Sequence, residues 1–438
     1  MLIRFRVSNF LSFDEEQTLS MISGKTESHS GHVIPFDNVG ILKLSALYGA
    51  NASGKTNLIK AMVTMKNLVV FNEPILKDRY HRSSPKNESR PSLFEAEIEF
   101  NGRLFSYGFE IVISEGRIID EWLHELYIDR DSSIIFERTG NNIVTNFVGE
   151  DKKRMDIYAE DTVDKNNLLF LTAMRSHVRQ TDGALRTFAD VYDWFANKLM
   201  ILDSNVPFIP TRSLSEEYFD RLNRFMASFG TGINEIGYET KPGMENVLPK
   251  EIAEDMKKQL MSGKDSPVGM RSATFSSSVD YRVSLSENSS LVFDEIVYRH
   301  KGGITFHSHE ESDGTKKLYS LLANLFSDDA DMTILMDELD SRLHPQLTYR
   351  LVRMFLTNDD LPNKQLIFTT HESCLMDFEL LRRDEIWFIE KNVQGSSRVY
   401  SLEDFNERMD RRIEKAYREG RYGGVPIFST VFPLGERK

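Results

Sequence analysis

The octapeptide Gly49–Thr56 constrains the fold of this 438-residue chain more than any other segment. It reads Gly-Ala-Asn-Ala-Ser-Gly-Lys-Thr and matches the P-loop pattern G-x-x-x-x-G-K-[ST] without a gap. The mostly apolar run Ile41–Tyr48 precedes it and a helical run from Asn57 follows it, which predicts a strand, a phosphate loop and a helix. Backbone N–H groups in such a loop turn inward around an anion, and the helix N-terminus favours negative charge. A simple glycine-rich turn is the weaker alternative, because it explains neither flanking element.

The loop predicts a nucleotide site for ATP and Mg²⁺. Lys55 would neutralise the β- and γ-phosphates, and the Thr56 hydroxyl would ligate the metal. The predicted nucleotide-binding residues of this segment are Gly49, Asn51, Ala52, Ser53, Gly54, Lys55, Thr56 and Asn57.

A second element, Thr333–Glu338, is an apolar strand that ends in two carboxylates. Asp337 at the strand tip is predicted to hold Mg²⁺ together with Thr56. Glu338 is predicted to polarise the attacking water as the general base. Two solvated acids at a helix start are the alternative, and the presence of a P-loop favours the catalytic interpretation.

Two further segments contain candidate phosphate ligands. Ser312 and Gly314 lie just before an apolar helix, where N–H groups meet the positive end of the helix dipole. A capped helix without further function is the alternative there. His371 follows a buried strand directly and could hydrogen-bond a γ-phosphate as a second catalytic residue, although a histidine in that position is often structural.

In this order the four motifs resemble those of the ABC-type ATPase head, in the branch that includes SMC proteins, RecF and the OLD-family ATPases. Residues 311–315 resemble the signature motif, residues 340–345 the D-loop and His371 the switch histidine. The N-terminal run Val7–Phe13 resembles the opening strand of SMC and RecF heads, which lies near the adenine. No glutamine is identified as the Q-loop residue; the basic loop around Arg79–Arg82 occupies that stretch.

The C-terminal part is similar to bacterial abortive-infection ATPases of the RloA/AbiLi kind. The similarity rests on Asp384–Lys391, Tyr400–Phe405 and Gly420–Pro426. It implies a sensor and regulator of anti-phage defence that controls a separate effector, expected to be a TOPRIM-type nuclease. Only 48 residues follow Glu390, too few for a TOPRIM domain, so no nuclease is expected in this chain. A RecF-like, ATP-gated DNA-binding protein of repair or recombination is the alternative.

The resemblance to ABC-type heads also implies self-association. The signature motif of one copy would close over the nucleotide of another, in a head-to-tail dimer or higher oligomer. Each composite site would then contain Lys55 from one copy and Ser312 from its partner.

The predicted fold class is α/β, an ABC-type head in which a P-loop parallel sheet accompanies an antiparallel β meander. Alternating apolar residues on both sides of Asn101-Gly102 predict the first hairpin of that meander. Residues 1–150 are assigned to the first part of the head, 151–290 to an inserted, mainly helical lid domain, and 291–400 to the second part of the head. Residues 401–438 are assigned to a tail helix and partner-contact segment.

Composition argues against several classes of protein. Lys and Arg total 54 against 67 Asp and Glu, a net charge of −13, which argues against a protein that coats nucleic acid through bulk charge. One cysteine excludes an intrachain disulfide, and no apolar run reaches the length of a membrane span. With no signal-peptide pattern at the N-terminus, these features predict a cytoplasmic protein without a membrane partner.

Two local basic clusters leave DNA open as a further partner. One would form a stripe on the tail helix and the other lies in the loop after the P-loop helix. A solvated surface balanced by nearby acids is the alternative for both. The residues are Arg408, Arg411, Lys415 and Arg418 in the tail, and Arg79, Arg82, Lys86 and Arg90 in the loop.

Overall fold

A computed structural model of the chain confirms the predicted α/β class. It describes residues 1–25, 28–163, 165–178, 183–202, 216–246, 248–262, 268–273, 278–286, 288–327, 329–358, 363–405 and 413–425. The chain divides into two compact units. The first contains Met1–Ile201, Asp331–Leu339 and Asn363–Lys438, and the second contains Leu202–Ala330 and Asp340–Pro362.

The first unit contains the predicted parallel sheet. Four strands run parallel in the order β17-β18-β5-β19, with β11 at one edge and β20 antiparallel at the other. Every residue of β5, β17 and β18 is buried, as expected for strands covered on both faces. The strands are β5 (Leu44–Tyr48), β11 (Leu199–Leu202), β17 (Met332–Met336), β18 (Lys364–Thr369), β19 (Ile386–Lys391) and β20 (Ser397–Ser401).

The predicted meander is present as part of a larger antiparallel sheet in the same unit. Its seven strands follow the order β10-β9-β8-β7-β6-β1-β2, so the N-terminal strand pairs with the meander. Asn101 and Gly102 form the two-residue turn with φ of 53° and 75°, and Phe100 pairs with Arg103. The strands are β1 (Leu2–Ser8), β2 (Gln17–Ser20), β6 (Ser92–Phe100), β7 (Arg103–Val112), β8 (Arg117–Leu126), β9 (Ser133–Thr139) and β10 (Asn142–Thr145).

Helix α1 (Lys55–Phe71) follows the P-loop and belongs to the same hydrophobic core as both sheets. The Thr172 hydroxyl donates to the Val69 carbonyl over 2.8 Å, and the Tyr192 hydroxyl donates to the Val70 carbonyl over 3.1 Å. These bonds hold α3 (Phe170–Met174) and α4 (Arg186–Asp193) against the end of α1. The same region contains α2 (Gly149–Val163) and a π turn at Trp194–Lys198. A separate hairpin pairs β3 (Val33–Phe36) with β4 (Val39–Leu42).

In its described residues, the second unit combines four α-helices with an antiparallel sheet. The sheet order is β12-β15-β14-β13, and β16 pairs with β15. Ring contacts such as Phe225 on Phe326, at 4.7 Å between centroids, join the helices. The elements are α5 (Glu216–Ser228), β12 (Ile233–Thr240), α6 (Lys250–Ser262), β13 (Val268–Ala273), β14 (Ser278–Leu285), β15 (Leu291–His300), β16 (Thr305–His307), α7 (Asp313–Leu325) and α8 (Pro345–Thr357).

The interval 151–290 contains strands that its helical periodicity did not predict. The expected helices are present, but β11, β12, β13 and β14 lie among them. Apolar and polar residues alternate only weakly along β12, because a glycine and charged residues interrupt the pattern. The strand is stabilised by its pairing with β15. No helix in the described part of the chain is long and apolar enough to cross a bilayer.

Candidate functional site

Three predicted segments meet at one edge of the parallel sheet. The P-loop follows β5, Asp337 and Glu338 follow β17, and His371 follows β18. These strands are neighbours in the order β17-β18-β5, and parallel strands place their carboxyl ends together. The first unit therefore brings together the P-loop, the acidic pair and the histidine.

The P-loop glycines are required by close backbone contacts. A Cβ on Gly49 would lie 2.3 Å from the Ile389 carbonyl oxygen, so a side chain has no room there. Gly54 has a φ of 115°, and a Cβ there would lie 2.5 Å from the Ser397 hydroxyl. Gly54 precedes α1 and supplies no capping side chain, and the positive end of the helix dipole at this point favours an anion.

The donor set of the loop fits a nucleotide phosphate with Mg²⁺. Lys55 is buried, and its Nζ donates to the carbonyl oxygens of Gly49 at 2.7 Å and Ala50 at 3.1 Å. The Ser53 hydroxyl is buried and has no hydrogen-bond partner within the described residues. A buried cation and a buried hydroxyl at the N-terminus of a helix are the chemistry that a phosphate requires.

One serine outside the P-loop, Ser397, bonds to its backbone and was not predicted, and a second, Ser12, bonds to Ser397 and to the start of α1. The Ser397 hydroxyl donates to the Ser53 carbonyl at 2.5 Å, and the Ser397 N–H donates to the Ser12 carbonyl at 2.7 Å. The Asn57 amide donates to the Ser12 hydroxyl at 2.9 Å. Ser12 belongs to the N-terminal run identified from sequence, whereas no local pattern distinguishes Ser397.

The acidic pair is organised by Thr369 at the end of β18. This hydroxyl donates to Asp337 Oδ1 at 2.5 Å and accepts the Glu338 N–H at 2.8 Å. Glu338 is exposed and has a left-handed φ of 52°, which turns it away from the path of β17. Sequence reasoning placed Thr369 in the segment before His371 but gave it no role.

We expect Thr369→Val to destabilise the protein. The valine has a similar shape but leaves the Asp337 carboxylate and the Glu338 N–H without this partner, at a cost of about 1–3 kcal/mol. Urea unfolding would measure the loss, with Thr369→Ser as the control that retains the hydroxyl. A valine variant as stable as the serine variant would contradict the organising role of Thr369.

His371 is exposed at the same sheet edge and begins a short turn. The Glu372 N–H donates to the Thr370 hydroxyl at 3.0 Å, which fixes the backbone after the histidine. The single cysteine, Cys374, lies beside Glu372, and burial raises the pKa of its thiol to about 11. The thiol is therefore neutral at pH 7 and is a poor nucleophile or metal ligand.

Ser312 and Gly314 lie in the second unit, at the start of α7. Ser312 is the N-cap, and its hydroxyl accepts the Thr315 N–H at 3.1 Å. The helix cap that was the alternative interpretation is therefore present. The role of this segment in binding phosphate stays a prediction. A Cβ on Gly314 would lie 2.6 Å from the Arg342 carbonyl oxygen, which explains the glycine.

Residues 340–345 contact the start of α7 within the second unit. Lys317 Nζ donates to the Ser341 carbonyl at 2.7 Å, and Asp313 pairs with Arg342 at 3.1 Å. These contacts join the predicted signature and D-loop segments, a link that sequence reasoning did not include.

The basic loop after α1 is anchored to the N-terminal turn. Asp14 accepts from Arg90 at 2.7 Å and from the Asn87 amide at 3.0 Å, while Asn9 donates to the Asn87 carbonyl at 2.9 Å. Arg82 pairs with Asp78 at 3.3 Å. Much of the predicted basic charge is therefore compensated within the chain.

The same compensation is found on the tail helix α9 (Ile413–Arg418). Lys415 lies 3.7 Å from Glu419, and Arg418 lies 4.0 Å from Glu414. Arg408, Arg411 and Pro426 of the predicted tail features lie outside the described residues.

One protein family matches the sequence across both units. Its description reads "AAA domain, putative AbiEii toxin, Type IV TA system", and the match covers residues 44–162 and 210–377. Among solved structures, the SMC head bound to the C-winged helix domain of ScpA is similar with a TM-score of 0.39 and 13% sequence identity. That alignment covers 91% of this chain and 97% of the other. No curated protein matches the chain. Because the family match includes the P-loop, the acidic pair and His371, the chain belongs to this AAA domain family.

Proposed function

We propose that this chain binds and hydrolyses ATP. The observation that carries the proposal is the convergence of the P-loop, the Asp337–Glu338 pair and His371 at one edge of the parallel sheet. Membership of an AAA domain family supports the same chemistry.

The roles of the side chains follow from their charges. Lys55 and the first N–H groups of α1 bind and orient the phosphates. Thr56 and Asp337 would hold Mg²⁺, which when bound neutralises charge on the phosphate oxygens. Glu338 accepts a proton from the attacking water, and His371 donates a hydrogen bond to the γ-phosphate.

We further propose that hydrolysis requires a second copy of the chain. Glu338 and His371 are exposed, and a water-excluding surface must cover them for efficient phosphoryl transfer. Ser312 and the N–H groups at the start of α7 form an anion-attracting surface of the right chemistry. In a head-to-tail dimer, this surface of one copy covers the P-loop of the other.

The mass of Glu338→Gln protein by light scattering tests this assembly. Blocked hydrolysis traps the closed state, so we expect the mass to double with ATP and Mg²⁺ and to stay unchanged with ADP. The double variant Lys55→Ala, Glu338→Gln is the control and should not respond. A mass that is the same with and without ATP would overturn ATP-driven closure.

The proposed role in anti-phage defence goes beyond ATP hydrolysis. The family description names a "putative AbiEii toxin" of a "Type IV TA system", and the C-terminal resemblance to RloA/AbiLi ATPases is a second reason to consider defence. We propose that ATP occupancy of this chain controls a separate effector, a TOPRIM-type nuclease. Bacteria that express the chain with its neighbouring genes should resist a phage panel, and Lys55→Ala should remove that resistance. Unchanged resistance in the variant would contradict control by ATP.

ATP-gated DNA binding is the alternative predicted from sequence, and the paired side chains do not favour it. Asp78 and Asp14 pair with arginines of the loop cluster, and Glu414 and Glu419 pair with cations of α9. Exposed pairs of this kind reduce the local positive potential that a phosphate backbone requires.

A further inference from the structure

Residues 413–425, here called the C-terminal clasp, lie against the first glycine of the P-loop. A Cβ on Gly424 would be 3.5 Å from the Gly49 Cα, the distance of an ordinary van der Waals contact, so the two glycines are close neighbours with little space between them. Gly424 is buried and has a φ of 67°. This contact joins sequence positions 375 residues apart at the point where the phosphate loop leaves β5.

Aromatic packing holds the clasp in place. The Tyr417 ring stacks on Phe388 at 5.6 Å and meets Tyr48, the residue before Gly49, edge-on at 5.9 Å. The Tyr417 hydroxyl donates to the Gly424 carbonyl at 3.1 Å. Tyr417 therefore contacts both β5, the strand that leads into the P-loop, and Gly424, the glycine that lies beside Gly49.

A second group of contacts fixes the backbone before Gly424. The Tyr400 hydroxyl donates to the Tyr422 carbonyl at 2.7 Å, and the Tyr422 ring stacks on Phe388 at 5.9 Å. Gly423 has a φ of 69°, and a Cβ there would lie 2.6 Å from the Tyr400 hydroxyl. These contacts fix the course of the clasp backbone across β19 and β20.

The clasp also contacts the segment that follows His371. The Ser373 hydroxyl donates to Glu414 Oε1 at 2.8 Å, which attaches α9 two residues beyond His371. One short segment therefore touches both the entrance of the P-loop and the turn that presents His371.

We infer that the C-terminal clasp is a positioning element for the phosphate loop whose stability is coupled to ATP binding. In this structure Lys55 donates to the Gly49 carbonyl through the same ammonium group that the proposed site assigns to the phosphates. ATP would compete for this donor, and loss of the bond would change the surroundings of the Gly49 backbone beside Gly424. If the interaction between Gly424 and Gly49 differs between the ATP-free and ATP-bound states, it supplies the free-energy difference that coupling requires.

This inference rests on the proposed ATP site and makes a reciprocal prediction. If the clasp positions Gly49, disturbing the clasp lowers ATP affinity. If ATP orders Gly49, ATP lowers the equilibrium constant for opening of the clasp by the same factor, because coupling between two equilibria is symmetric.

The first experiment measures ATP affinity of Gly424→Ala by calorimetry. Alanine at φ 67° adds backbone strain and a methyl group against Gly49, and we expect affinity to fall about tenfold, within the usual range of site coupling. Gly395→Ala is the matched control, because Gly395 also has a positive φ of 86° but open space around its Cβ. Tyr417→Phe keeps the ring and loses the hydroxyl, and it should show a smaller decrease in affinity.

The second experiment measures trypsin cleavage of the full chain within the clasp. The side chains of Lys415, Arg418 and Arg421 are 65%, 72% and 54% exposed, so cleavage there reports opening of the local backbone. At an ATP concentration that saturates the wild type but not Lys55→Ala, we expect cleavage to slow in the wild type and to change little in Lys55→Ala.

The outcomes separate the two proposals. Absence of ATP binding by the wild type overturns the proposed function itself. A wild type that binds ATP, with equal affinities in Gly424→Ala and Gly395→Ala and unchanged cleavage at the clasp, overturns only the coupling.

Discussion

Lys55→Ala is expected to lower ATP affinity by roughly 10- to 100-fold, since a hydrogen bond to a charged group contributes about 1.5–3 kcal/mol. Lys55 is buried at the start of α1, and its Nζ lies within hydrogen-bond distance of two P-loop carbonyls. A phosphate in this loop loses both charge neutralisation and a directed donor when the ammonium group is removed. Isothermal titration with ATP and Mg²⁺ measures the change.

The matched control is Lys60→Ala. Lys60 lies on the same helix but is exposed, so its removal changes the net charge equally and leaves the loop intact. We expect the ATP affinity of this variant to equal that of the wild type within about twofold, as for an exposed charge screened by salt. Equal losses in both variants would mean that general positive charge, and not the P-loop geometry, binds the nucleotide.

Glu338→Gln is expected to slow ATP hydrolysis by about 10²- to 10⁴-fold, the usual contribution of a general base. The glutamine keeps the shape and the left-handed backbone turn that Thr369 supports, but it cannot accept the proton of the attacking water. ATP affinity should remain unchanged, because Glu338 acts on water and not on the bound phosphates. Single-turnover phosphate release separates this loss from any change in binding.

Glu379→Gln serves as the control for the loss of one carboxylate. Glu379 is exposed in the same unit and lies outside the site. Its hydrolysis rate should match the wild type. A Glu338→Gln variant that still hydrolyses ATP at the wild-type rate would show that another group accepts the proton.

Sequence alone predicted the features that depend on near neighbours in the chain. The P-loop can be recognised because its glycines, lysine and threonine act within eight residues, between a strand and a helix that have their own periodicity. The Asn101-Gly102 hairpin follows from two residues that tolerate positive φ between alternating strands. Strands that are apolar throughout predicted the buried parallel sheet, and their polar ends predicted Asp337, Glu338 and His371.

Tertiary structure decided which distant residues complete the site. Thr369 organises the acidic pair because β18 lies beside β17, and Ser397 holds the P-loop because β20 ends the sheet near it. The strands β12, β13 and β14 and the contact of Gly424 with Gly49 also depend on pairings between remote segments. Local propensity carries no information on such partners, since they are selected by the register, burial and backbone fit of the folded chain.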